Sequence, residues 1–251
     1  MTRPVGGHDN RSMNRSAFIN ALGVLSMTST ADLTFDSGDT TVAGVVIPDT
    51  PLARDAGTIA RNAEGDELFN HSLRTFFFAE LIAQARCVPH DSEVVYVASI
   101  MHDLGLTARY MSANNRFEVD GANAARDLMQ QHGLKDAAID AVWDAIALHD
   151  NGGIARWKRP EVALVNAGVA ADFGAQLEIL TPNDIRDVLQ RAPRDGFIEA
   201  FLPAVATVAA KKPNATGTCF VTDVGYRMVP HFHPANFCDE VKSNNPFAQY
   251  H

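Results

Sequence analysis

The sequence predicts an all-α fold, a helical bundle with an irregular N-terminal arm, and three observations carry that prediction. Apolar residues recur at helical spacing from residue 67 onward, strand-like alternation is scarce after residue 60, and the periodic stretches are separated by Gly, Pro and Asn. A composition of 46% hydrophobic and 20% charged residues supplies enough apolar surface for five or more helices to bury against one another. A chain of 251 residues sits near the upper limit of one hydrophobic core. The expected organisation is an arm over residues 1–59, one helical domain over 60–230 and a tail over 231–251.

Taken in order, residues 1–16 are polar and rich in Gly, Asn and Arg, so they are expected to lie poorly ordered or draped on the surface. The run TTVAGVVIPDTP fits a short strand or an extended arm equally well. The first helix is expected from Glu67, through ELFNHSLRTFFFAELIAQARCV, and to stop before Pro89. Ser92 can cap the next helix, which carries Val94, Val95, Ala98 and Met101 and ends at His102-Asp103 before Gly105. Asp120 is expected to cap a helix that stops at His132-Gly133, and a further helix runs from Lys135 to His149. Ile139, Val142, Ile146 and His149 share one face of it, so His149 points inward. Pro160 suits the first turn of a helix through Phe173 whose apolar face also holds Asp172. Two helices, about 183–191 and 193–210, precede a final apolar segment, GTCFVTDVGYRMVP.

Charge and cysteine content exclude several function classes. The net charge of −9, with no Lys/Arg cluster, argues against nucleic-acid or anionic-membrane partners and leaves a small-molecule substrate, with a homo-oligomer allowed. Cys87, Cys219 and Cys238 are odd in number and form no CxxC pair, which reads as free thiols in a reducing compartment. The N-terminal stretch lacks the apolar run of a signal peptide, so a cytoplasmic protein is expected.

His-Asp occurs at His8-Asp9, His90-Asp91, His102-Asp103 and His149-Asp150, so context must choose among them. His8 lies in the polar arm and His90 in a connection after Pro89, where solvent exposure is expected. His102-Asp103 ends the apolar helix VVYVASIMHDLG and presents both groups from the core side, where unpaired polar atoms are costly. His71, in mid-helix, and Asp172, on an apolar face, offer further inward donors. Two imidazoles and two carboxylates with room for water suit one divalent ion, zinc first, with iron or manganese as alternatives.

The segments FNHSLRT and ASIMHDLGLT, followed by Asp172, give the order H, HD, D and resemble the HD-domain superfamily of helical metal-dependent enzymes. More narrowly, NHSLRTFFF, RFEVDGANAARDLMQQHG, AVWDAIALH and PEVALVNAGVAADFG are similar to its cyanamide hydratase branch, over roughly residues 60 to 230. That branch adds water to cyanamide to make urea, using zinc. The resemblance implies His71, His102, Asp103 and Asp172 as metal ligands and a metal-activated water attacking a nitrile-like carbon. It departs from the branch at Asp150, where Thr usually follows IALH.

Asp103, His149 and Glu118 are the candidates for moving the proton, since carboxyl and imidazole groups near a metal can be tuned toward the working pH. Asn70, Arg74 and Phe78, on the helix of His71, are the candidate substrate contacts, Arg74 having a structural ion pair as its alternative. His231 and His233 lack acidic or Cys partners and read as an exposed loop. The competing function is a phosphohydrolase acting on a nucleotide or small phosphoester. It needs Arg109, Arg116 or the Arg156-Lys158-Arg159 group poised over a phosphate. An inactive metal-stabilised binding protein and a di-iron oxygenase are further alternatives, the latter requiring more histidines.

Overall fold

In the computed structural model, residues 41–216, 219–236 and 239 are described. Residues 1–40, with the His8-Asp9 pair, lie outside them, as do Cys238 and residues 240–251 of the tail. TVAGVV forms a minimal hairpin, β1 (Thr41–Val42) against β2 (Val45–Val46), with Thr41 opposite Val46. Its two turn residues, Ala43 (φ 48°) and Gly44 (φ 80°), both adopt the left-handed conformation that a two-residue turn of this twist requires.

Helix α1 (Pro51–Arg86) begins well before the expected Glu67. Thr50 caps it, its hydroxyl accepting the Ala53 amide at 3.0 Å, and Pro51 fills the first turn. The first half was hidden in the sequence because its buried face is made of small residues, Ala53, Ala56, Gly57 and Ala60, whose weak hydropathy blurs the periodicity. Gly65 (φ 72°, ψ 176°) then breaks the helix and turns Glu64 inward. Helix therefore begins at residue 51, inside the span expected to be irregular.

Helix α2 (Ser92–Met101) is capped by Asp91, which accepts the amides of Glu93 and Val94, whereas the Ser92 hydroxyl donates to Glu80 at 2.9 Å. Helix α3 (Phe117–Gln131) starts three residues ahead of Asp120. Asp120 is no cap: it is buried and meets the Lys212 ammonium at 2.8 Å. Helices α4 (Asp136–Ala147), α5 (Gly152–Ala155), α6 (Pro160–Asp172) and α7 (Pro182–Arg191) follow, the last with a reciprocal Thr181–Asp184 cap. Helix α8 (Phe197–Lys211) begins only after Gly196 (φ 73°), later than the expected Pro193, and α9 (Phe220–Met228) ends the described helices.

Helix α1 packs most extensively on α6 and α2, α3 pairs with α4, and α8 with α9. The α1–α6 contact depends on Gly168, where an added Cβ would come within 2.2 Å of the Thr75 carbonyl oxygen. Gly105 does the same for the entry to α3, its Cβ position lying 1.9 Å from the Phe117 carbonyl oxygen. Among the described residues no helix is long and apolar enough to cross a membrane.

Candidate metal centre

The second half of α1, the end of α2 and the end of α4 bring three imidazoles and one carboxylate together. His71, His102 and Asp103 are each at most 1% exposed, and His149 is 3% exposed. His71 Nε2 lies 3.2 Å from His102 Nε2 and 3.6 Å from Asp103 Oδ2, which is in turn 3.3 Å from His102 Nε2. Bonds of 2.0–2.1 Å to a tetrahedral ion put neighbouring ligand atoms about 3.3–3.4 Å apart. The triangle therefore fits one small divalent ion.

Hydrogen bonds fix which ring nitrogens face the centre. His71 Nδ1–H donates to Asp172 at 2.7 Å, His102 Nδ1–H to the Ser99 carbonyl at 2.7 Å, and His149 Nδ1–H to the Ile146 carbonyl at 2.7 Å. In the neutral rings each Nε2 thus keeps its lone pair. Two such lone pairs facing each other at 3.2 Å repel unless a proton or a metal cation lies between them, and Asp103 Oδ2, buried and without a hydrogen-bond partner, offers a metal a third ligand.

Asp172 is not part of this triangle. Its carboxylate sits behind His71, taking Nδ1–H on Oδ2 and the Arg74 guanidinium at 2.6 and 2.9 Å. Burial alone would raise its pKa, but the bonds from His71 and Arg74 outweigh it and hold the carboxyl well below the usual range. Its place is that of a buffer between Arg74 and the ligating ring, which fixes the tautomer of His71. Burial would raise Asp103 too, but the imidazoles around it, His102 first, hold it low; against the same burial, Asp103 lifts His102 to about 9 in the metal-free site. Burial keeps His71 below its ordinary value and His149 at about 4, so His149 is neutral near pH 7.

A cavity of about 300 Å³ opens onto the centre. His71, His102, Asp103 and His149 form its floor, Asp150 and Asn166 its only other polar lining among the described residues, and Val169, Ala170, Phe173, Phe201 and Phe220 its apolar wall. The expected substrate contacts Asn70, Arg74 and Phe78 do not line it. Asn70 sits one step round the helix from His71, and a rise of 1.5 Å per residue carries Phe78 about 10 Å along the axis. Arg74, fully buried, is spent on Asp172 and the carbonyls of Ala192 and Pro193.

Glu118 is also buried, but it meets Arg116 and neighbours Asp150 instead of the cavity. Burial raises the pKa of both carboxyls, with Arg116 opposing. His90, expected to be solvated, bridges Glu80 at 2.9 Å and the Val88 carbonyl at 2.9 Å in a half-buried position. His231 and His233 are exposed, as read from the sequence. Glu64 and Asn166 had no sequence signal, being single polar residues on otherwise unremarkable helix faces.

A helical bundle with two histidines and an aspartate converging in its core at ligand spacing is the build of a metal-dependent helical enzyme. The family model of the HD domain matches residues 68–181, and the chain carries an HD domain. The chain is also 29% identical over 152 residues to two Saccharomyces cerevisiae proteins named cyanamide hydratase DDI2 and cyanamide hydratase DDI3, an overlap covering 58% of this chain and 67% of each relative.

Proposed function

We propose that the protein hydrates a small nitrile-like molecule, with cyanamide to urea as the leading reaction. The observation that carries this reading is the cavity itself. At about 300 Å³ it stands at the small end of ligand sites, and among the described residues its lining includes no Lys or Arg. A phosphoester substrate needs cations over the phosphate. Each candidate for that role is engaged elsewhere: Arg116 on Glu118 and Asp150, Lys158 on Asp144 at 2.6 Å, Arg159 on Glu161 at 2.8 Å, and Arg109 against the Tyr110 ring. Arg156 lines a different cavity, beside Arg86 and Gln176. The names of the two yeast relatives point the same way.

His71, His102 and Asp103 would hold the ion, zinc first, and such an ion supplies Lewis acidity that brings the pKa of water toward neutrality. Addition breaks one O–H bond of water, forms a C–O bond at the nitrile carbon and puts that proton on the nitrile nitrogen; the remaining O–H proton of the resulting isourea then moves to the same nitrogen, giving urea. His149, neutral and with Nε2 3.9 Å from Asp103 Oδ1, offers an acceptor that orients the attacking water. The aromatic wall of Phe173, Phe201 and Phe220 excludes bulk water from the reacting carbon. Glu118 acts at one remove, by holding Arg116 against Asp150.

The test is elemental analysis of the purified protein combined with urea release from cyanamide. One equivalent of a divalent metal and urea formation are expected, and Asp103→Ala should lose both. Metal without urea, or turnover of nucleotides instead, overturns the hydratase reading.

A further inference from the structure

We propose that Asp150 selects substrates bearing an N–H donor, so that the pocket takes small primary amides, amidines or cyanamides in preference to their N-alkylated counterparts; this rests on the hydration reading above. Five buried side-chain oxygens among the described residues lack a hydrogen-bond partner, on Glu64, Thr75, Ser99, Asp103 and Asp150. Of these residues only Asp103 and Asp150 line the cavity. Asp103 Oδ2 is accounted for by the metal centre. Asp150 Oδ1 is left, on a side chain 9% exposed, and a buried carboxylate oxygen without a donor is unfavourable until something supplies one.

The surroundings say what that donor is. Asp150 Oδ2 already faces Arg116 at 3.4 Å, and Arg116 is held chiefly by Glu118. Two carboxyls share one guanidinium, so the local balance welcomes a donor or a cation and disfavours an anion. Across the cavity the wall is apolar, and Asn166 gives its side-chain N–H to the His149 carbonyl at 2.7 Å. Among the described residues a substrate N–H therefore meets, outside the metal centre, the Asn166 side-chain oxygen and one buried carboxylate oxygen that lacks a partner, that of Asp150. Because Asp150 directly follows His149 in the chain, that acceptor is held at a fixed distance from the reacting end of the pocket.

Glu118, Asp150 and Cys219 lie close enough together to suggest a second cation site. Arg116 already occupies both carboxylates, and the Cys219 thiol donates to the Thr216 carbonyl, so recognition of a neutral donor is the better fit.

The test separates binding from turnover by using ligands that hydration does not consume. Zinc-loaded protein is titrated with acetamide and with N,N-dimethylacetamide, followed by NMR. The wild type should bind acetamide at least about tenfold more tightly, as a buried acceptor otherwise left without a donor implies. Asp150→Ala and Asp150→Val should each reduce the ratio to near unity while keeping the wild-type metal content. Equal binding of the two amides by wild type, binding of neither, a preference retained in both variants, or a second tightly bound zinc lost on substitution would each overturn the proposal. Urea release from cyanamide, measured in parallel, reports on the hydration reading alone. Selective amide binding without urea would discard that reading and keep the donor site.

Discussion

Replacing Gly168 with alanine adds one methyl group where α6 crosses α1. That carbon would stand 2.2 Å from the Thr75 carbonyl oxygen, 3.0 Å from Ala79 Cβ and 3.1 Å from the Ala79 amide nitrogen. Two of the three neighbours are backbone, so no side chain can swing aside and the helices must separate. Overpacking of this kind costs about 1–3 kcal/mol, and the rigid neighbours put Gly168→Ala at the upper end. Alanine recovers about 1 kcal/mol through its better helix propensity, leaving a net loss of about 2 kcal/mol. For a domain of this size that is a Tm lower by about 4–8 °C. Asp172 lies one turn further along the same face of α6, so the separation should also loosen its bonds to His71 and Arg74 and weaken metal retention. Thermal and urea unfolding followed by circular dichroism, on metal-free and zinc-loaded protein, measure both effects. An unchanged Tm with unchanged zinc affinity would refute the reasoning, since it would mean that α6 can slide off α1 freely.

Asp172→Asn should keep the fold but lower zinc affinity by about 10–100-fold, because the amide no longer fixes the proton on His71 Nδ1; competition with a chelator reads this, and wild-type affinity in the variant would return Asp172 to a purely structural role. Glu64 has its pKa raised to about 8, by burial first and then by the Asp103 charge. The folded state thus holds a proton that the unfolded chain releases above its ordinary value of 4.5, and stability fully present below pH 4.5 is lost as pH rises toward 8, by on the order of 5 kcal/mol. Glu64→Gln should remove that slope in metal-free protein, gaining stability relative to wild type at pH 8 but not at pH 4; parallel pH profiles for the two proteins would contradict it.

His71, His102 and Asp103 could be read from the sequence because each combines a polar group with an inward-facing helical position, and burial of such groups demands a shared partner. Asp172 carried the same signal, yet a sequence cannot distinguish an acid that touches a metal from one that holds the imidazole doing so. The difference lies in Arg74, whose guanidinium draws the carboxylate to the far side of the ring. The early start of α1 escaped because a face built of alanines and glycine packs by closeness instead of hydrophobic bulk. The cavity wall escaped for another reason: Phe173, Phe201 and Phe220 come from separate helices and loops, and nothing along the chain says that they meet.

Arg74 also grips the carbonyl oxygens of Ala192 and Pro193, in the connection that leads into α8. The same helix supplies Phe201 to the cavity wall and Phe197 to the face of His71, with ring centroids 4.7 Å apart. One cation thus fastens the roof and the floor of the chamber together. Swinging α8 outward to admit a bulkier guest would tug on the bracket behind His71, so widening the entrance and keeping the ion are opposed demands in this architecture.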